Sequence, residues 1–219
     1  MTSDLDKKTS HRTYGGLSEP ERKLERRERF LEAGLEVFGR AGIRGATVRK
    51  LCKEAGLTER YFYESFEDSE ALFCAVYERQ VESLRDFFIA KLPELPAEMD
   101  ARIRTCLSAY FTFMQDDRVV RVLYVESLHG IERVSVVRQA NHEMMSQFAA
   151  QWIKSDNPEL TVSLEFAATV AQAINGACYS MSTQWMLGGY KLPIDMLVDS
   201  CSLLVLGTMR ALKEEFQPS

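Results

Sequence analysis

Apolar residues recur along this chain at intervals of three and four, not two. Over 20–40, "PERKLERRERFLEAGLEVFGR" puts Leu24, Phe30, Leu31, Leu35 and Phe38 on one side of a helix and charges on the other. Gly42 is suited to stop that helix. Thr47 is placed to cap a compact helix, "VRKLCKEA", whose Val48, Leu51, Cys52 and Ala55 turn inward. Gly56 can supply the positive φ of a tight turn. Thr58 then opens a second short helix that runs to about Ser65, and Asp68 caps a longer one that stops before Pro93. Helical spacing returns at about 98–115, 118–128, 131–154, 160–187 and 193–214. No segment alternates as a strand does, and no internal repeat is present. The predicted fold class is all-α.

Composition narrows the setting. A chain of 219 residues with 46% hydrophobic content can bury a core without staples. Its five cysteines, at 52, 74, 106, 178 and 201, include no C-x-x-C pair and total an odd number. That usage points to reduced thiols, and argues against a disulfide frame or a zinc site. The N-terminus is polar and lacks a signal-peptide core. The apolar stretch "IDMLVDSCSLLVLGTM" is interrupted by Asp195 and Asp199, too polar to span a bilayer. A cytoplasmic protein with no membrane partner is expected.

Charge is spread unevenly. The net of −5 divides into a mildly basic front, +3 through Phe66, and an acidic remainder of −8. Only the front is suited to meet a polyanion.

Two short helices joined by a glycine turn, behind a longer amphipathic helix, describe a helix-turn-helix. The segment "GLTERYFYESF" crowds aromatics onto the second short helix yet stays polar. Phe62 and Phe66 share one face and can anchor it. Tyr61 and Tyr63 lie about 100° to either side of Phe62, at the rim of the anchored face, within reach of phosphates. A recognition helix needs that division between a buried face and one that enters the major groove. A helical hairpin with all its aromatics in a core is the other reading of the same pattern.

The run "ATVRKLCKEAGLTERYFYESFEDSEALFCAVYE" resembles the DNA-binding signature of TetR-type transcriptional regulators, over about residues 22–80. It carries a threonine opening the second helix, an alanine-glycine turn, a tyrosine near the end of the third helix and a phenylalanine three residues later. The resemblance implies a three-helix DNA-binding domain over 20–67, behind a tail of 1–19. A helical effector-binding and dimerisation domain then covers 68–219. It implies DNA contacts at Thr47, Arg49, Thr58, Arg60, Tyr61 and Tyr63. Where the family commonly has a lysine at the start of the fourth helix, this chain has Ser69 after Glu67 and Asp68. More of the affinity is therefore expected from Arg49, Lys50 and the first helix's arginines, with Lys7, Lys8 and Arg12 of the tail as a possible basic arm. The partners implied are a double-stranded DNA operator, a small-molecule effector and a second copy of the chain. The departure at Ser69 keeps open a helical protein-interaction module that does not read DNA.

The C-terminal part offers a pocket but no reaction chemistry. Tyr110, Phe113, Tyr124, Phe148, Trp152 and Tyr179 are candidates to line an apolar cavity, with His129, Asn141 and Asn175 as polar fixtures. A largely apolar effector is expected there. Glu126 and Glu143 are expected at the surface. No G-x-S-x-G, H-E-x-x-H or phosphate-cradling loop occurs, and His129 and His142 lack partners at metal-ligand spacing. Neither an enzyme, a cofactor nor a metal is predicted. Ala167, Val170, Ile174 and Met181 on one late helix, with Leu197, Cys201 and Leu204 on the last, are expected to form a four-helix dimer interface.

Overall fold

The computed structural model describes residues 18–216, and every regular element among them is helical. Helix α1 (Glu19–Ala41) opens on a capping box, in which Ser18 and Glu21 satisfy each other's backbone N–H groups, and ends at Gly42. A 3-10 turn (Ile43–Gly45) leads to α2 (Val48–Ala55), capped by the Thr47 side chain. Gly56 then adopts φ 62°, ψ 33°, the left-handed conformation that turns the chain into α3 (Glu59–Tyr63). The Asp68 carboxylate accepts from the Ala71 N–H at 2.7 Å and starts α4 (Ser69–Lys91). Residues 1–17, which hold most of the expected basic tail, lie outside the described residues.

The first three helices close around phenylalanines. Phe62 meets Phe30 edge-on at 5.3 Å between ring centroids, and Phe66 packs against both. This core does not break at residue 67. It continues through Phe38, which meets Phe73 of α4 edge-on at 5.1 Å, and on to Met114, Val120 and Val134. The head formed by α1–α3 is thus built into the rest of the molecule.

The body follows as α5 (Met99–Phe113), α6 (Asp117–Val120), α7 (Glu132–Asp156), α8 (Leu164–Leu187) and α9 (Ile194–Phe216). Helix α5 packs on α9, and α7 lies along both α4 and α8. Two expected helices are changed. The stretch predicted over 118–128 is α only in α6; a π-helical turn (Arg121–Val125) and a 3-10 turn (Glu126–Leu128) complete it. The helix predicted from 160 starts at Leu164, where Ser163 caps it. Leu160 and Val162 keep their apolar character because they are buried in the link before it, against Ala150 and Ile153. Among the described residues, no helix is long and apolar enough to cross a membrane.

Candidate functional site

The exposed face of the head collects several of the residues expected to touch DNA. Arg49 and Lys50 stand exposed in the first turn of α2. Thr58 precedes α3 with no cap bond to its hydroxyl, so that group is unspent. Arg60 and Tyr63 are exposed on α3, the tyrosine at 59%, while Phe62 between them is fully buried. Other donors are already engaged. The Thr47 hydroxyl accepts from the Lys50 N–H, and the Lys50 ammonium donates to the Gly45 carbonyl at 2.8 Å. Arg60 reaches Glu64 at 3.2 Å, an exposed pair one turn apart that a phosphate can displace at small cost. Tyr61 departs from expectation: its ring is half-buried under the Arg26 guanidinium, 4.4 Å away. Arg26 is in turn within 3.6 Å of Glu64 and Glu19, and Arg29 donates to the Ala55 carbonyl at 2.6 Å, bracing the turn. These two first-helix arginines serve the head's own packing.

The acidic pair before α4 is balanced from the body. Arg133 of α7 reaches Glu67 at 3.0 Å and Asp68 at 3.2 Å. Its guanidinium offsets the repulsion those carboxylates would otherwise present to DNA.

The junction between head and body turns on Glu126, which was expected at the surface and is 4% exposed. Its carboxylate accepts from the Ile43 N–H at 2.8 Å and from Arg121 Nε at 3.3 Å. His129, expected in the effector pocket, sits at this junction instead, with Nδ1 3.1 Å from the Glu126 carbonyl. Gly42 admits no side chain: its φ is 71°, and a Cβ built there would lie 2.8 Å from the carboxylate. Glutamate and glycine therefore fit as a pair, which sequence separation hid. Glu126→Ala should cost about 1–3 kcal/mol, because the buried N–H loses its acceptor. Glu126→Gln keeps an acceptor oxygen and should cost less. Urea denaturation of both variants checks this; equal stability of Glu126→Ala and the parent protein would rule the contact out as a support.

Behind this junction, three of the expected pocket residues converge. The Tyr110 and Tyr124 hydroxyls are 3.0 Å apart, Ser182 lies 3.1 Å from Tyr110, and the Tyr179 hydroxyl donates to the Tyr124 carbonyl at 3.0 Å. Burial pushes the Tyr110 and Tyr124 phenols well above their ordinary range, so both stay protonated. Asn175 stands one turn before Tyr179 on α8, and Phe113 one turn after Tyr110 on α5, its ring 5.6 Å from Phe87. Phe148 and Trp152 do not join them. They are 59% and 40% exposed on the outer side of α7, with Arg102 of α5 over the indole at 5.6 Å. A face of α7 read as pocket-lining is therefore turned outward.

The late helices show a similar rotation. Ala167, Leu197 and Cys201 are buried in their own subunit's cores, so they have no surface to offer a partner. Val170, Ile174 and Met181 are half-buried, and Leu204 is exposed. The faces left open carry Leu187 on α8 with Met196, Leu203 and Leu204 on α9. Gly176 and Gly207 have nothing within 4 Å of their Cβ positions.

Comparison with known proteins places the whole arrangement. Residues 30–76 match the family model described as bacterial regulatory proteins, tetR family. An uncharacterized HTH-type transcriptional regulator, YdgC of Bacillus subtilis, is 23% identical over 193 residues, covering 85% of this chain and 94% of that protein. The fatty acid degradation regulator FadR from Bacillus halodurans has the same fold, with TM-score 0.72 and 16% identity over 83% of this chain and 95% of that one. FadR from Bacillus subtilis, solved in complex with stearoyl-CoA, superposes with TM-score 0.65 at 16% identity, over 81% and 96% of the two chains. The fold and its exposed head define a helix-turn-helix, DNA-binding transcriptional regulator. Residues 30–76 carry the match to the TetR family of such regulators, and the fold of the whole chain is that of the solved structures compared with it.

Proposed function

We propose that this regulator is a homodimeric repressor that holds a palindromic operator and releases it when a small, largely apolar effector enters the body. One observation carries the DNA side of this reading. The head buries Phe62 and Phe66 while Arg49, Thr58, Arg60 and Tyr63 remain exposed on its outer face. Arg49, Lys50 and Tyr63 would position phosphates, Thr47 and Thr58 would place helix N-termini against the backbone, and Arg60 would read base edges. Residues 20–67 would thus read DNA, and 68–219 would bind the effector and pair the subunits. Tyr61 we assign to holding Arg26.

The effector side is supported by the tyrosine cluster and by the B. subtilis FadR complex with stearoyl-CoA, an amphiphile with a long apolar chain. Tyr124 lies in the π-helical turn, two residues before Glu126. A ligand that moves Tyr124 would shift Glu126 and, through Ile43, the head. Such inserted turns recur at functional sites because their backbone has an alternative register close by. To take the dimer from almost wholly competent to almost wholly released, the effector must favour the released form by about 5.5 kcal/mol.

Selection of bound fragments from genomic DNA should return a palindrome with half-sites about 10 base pairs apart or a multiple of that spacing. On that operator, Arg49→Ala and Tyr63→Ala should weaken binding of all sequences alike. Arg60→Ala should also relax base preference, at about 1–3 kcal/mol per good base contact. Unchanged gel shifts for all three folded variants would remove this face from the DNA interface.

A further inference from the structure

Helix α1 is notched where the body meets it. Gly39 is buried inside the helix, where a glycine costs about 1 kcal/mol relative to alanine. A Cβ built there would lie 2.5 Å from the Arg118 Cβ and 2.8 Å from its Cα, well inside van der Waals contact. The start of α6 therefore rests on the backbone of α1, an approach that only glycine allows. At Gly42 the body grips the same helix end again, through the Glu126 carboxylate that also takes the Ile43 N–H. One segment of the body, 116–126, thus holds α1 at two points, with the π-helical turn between them.

Ion pairs close around the first notch. The Arg118 guanidinium forks onto Asp116, with Nε 3.0 Å and Nη2 2.6 Å from the two carboxylate oxygens, and its Nη1 donates to Glu36 of α1 at 2.9 Å. Asp117 accepts from Arg40 at 2.7 Å, and Arg40 Nε reaches back to Glu36 at 3.4 Å. A lone surface pair would add little, but a forked arginine within a network is the geometry that holds. Phe38, beside the notch, is fixed by Phe73 of α4 at 5.1 Å, so α1 cannot simply withdraw from α6 and must tilt if pushed. The same helix carries Phe30, on which Phe62 and α3 are seated. From Gly39 back to Phe30 the helix is a lever of about 14 Å, which carries a tilt at the notch to the reading helix.

We propose that α6 aims the head: Gly39 and Arg118 fix the angle of α1 and so determine which half-site spacing the dimer accepts. Both are positioning residues, acting through the separation of the two reading helices and not as contacts to bases. Two such helices bind together only where their separation matches the successive grooves they enter. The inference rests on the palindrome reading above, and adds that the spacing is set at the junction of head and body as well as at the dimer seam.

Gel shifts of the full chain on four duplexes test it: the selected palindrome, the same palindrome with one base pair removed or added at its centre, and a single half-site. Gly39→Ala drives a methyl group into the notch while favouring the helix, so the head should stay folded and bind the half-site as the parent does. Its affinity for the selected palindrome should fall by about 10-fold or more, because two linked sites lose their joint gain when geometry forbids both from engaging. Its preference among the three spacings should flatten or move. Arg118→Met opens the ion circuit but leaves the notch, and should shift that preference in the same direction by less. Arg118→Lys should recover part of the shift. Melting temperature and light scattering check that each variant is folded and dimeric, and Arg118→Met carries the test if Gly39→Ala is unstable. A parental spacing preference in both variants overturns the proposal. So does an equal loss on half-site and palindrome, which would place the defect within the head. A parent protein that binds the half-site as tightly as any palindrome would remove the palindrome reading itself, and this inference with it.

Discussion

Phe62→Ala is expected to cost about 3–5 kcal/mol of stability, the range for removing a phenylalanine from a closed core. Phe62 is fully buried, meets Phe30 edge-on at 5.3 Å and also touches the rings of Tyr63 and Phe66. Helix α3 spans only Glu59–Tyr63, and a helix that short has no stability of its own in water. Its place on the head depends on this ring and on Phe66. Domains are typically stable by about 5–15 kcal/mol in total, so the loss is a large share. Operator binding should vanish for every DNA sequence at once, because the whole reading helix loses its seat. The control is Tyr63→Ala, whose exposed ring should change stability by no more than about 0.5 kcal/mol while still weakening DNA binding. Urea denaturation and gel shifts on the two variants separate support from contact. A cost for Phe62→Ala below about 1 kcal/mol would show that the head is not held this way.

The head was legible in the sequence because its signals are local. Thr47 and Asp68 cap N–H groups three residues on and Gly56 turns the chain at its own position, while Thr58 stands at the start of α3 without a cap bond. The paired Phe62 and Phe66 are the inward residues their spacing required. Tyr61 was harder, since its cover, Arg26, comes from another helix. Glu126 was read as a surface acid for the same reason. The groups that satisfy its carboxylate include the Ile43 N–H, which lies in a distant turn.

The body shows where periodicity runs out. Spacing reveals that α7, α8 and α9 each have apolar faces, but these helices are apolar on more than one side. On α7 the buried Val134, Ala150 and Ile153 coexist with exposed Val136, Phe148 and Trp152. Which stripe turns inward depends on the neighbours, and a single helix does not specify its neighbours. The tyrosines at 110, 124 and 179 lie together in the interior. Their meeting depends on the π-helical turn at Arg121–Val125, whose altered register helical spacing alone does not foresee.

That ambiguity decides the choice of the dimer test. The pairing surface we propose lies on the faces of α8 and α9 that their own subunit leaves open. Leu203 is 76% exposed, and Met196, Leu204 and Leu187 stand out from the same two helices. Isolated apolar residues on a surface are ordinary, but several large ones on adjacent helices mark a contact site. The open space over Gly176 and Gly207 would let a partner helix approach closely. Under two-fold symmetry each substitution enters the seam twice. Leu203→Asp should therefore bury a pair of unbalanced carboxylates, which costs several kcal/mol or prevents association altogether. In an isolated subunit the same residue faces water, so the fold should tolerate the change. The expected result is a folded monomer by light scattering, with an unaltered helical spectrum and no binding to a palindrome, since one head spans one half-site only. A Leu203→Asp protein that remains dimeric and still binds the operator would move the interface elsewhere, and the outward stripe of α7 around Phe148 and Trp152 would be the next surface to test.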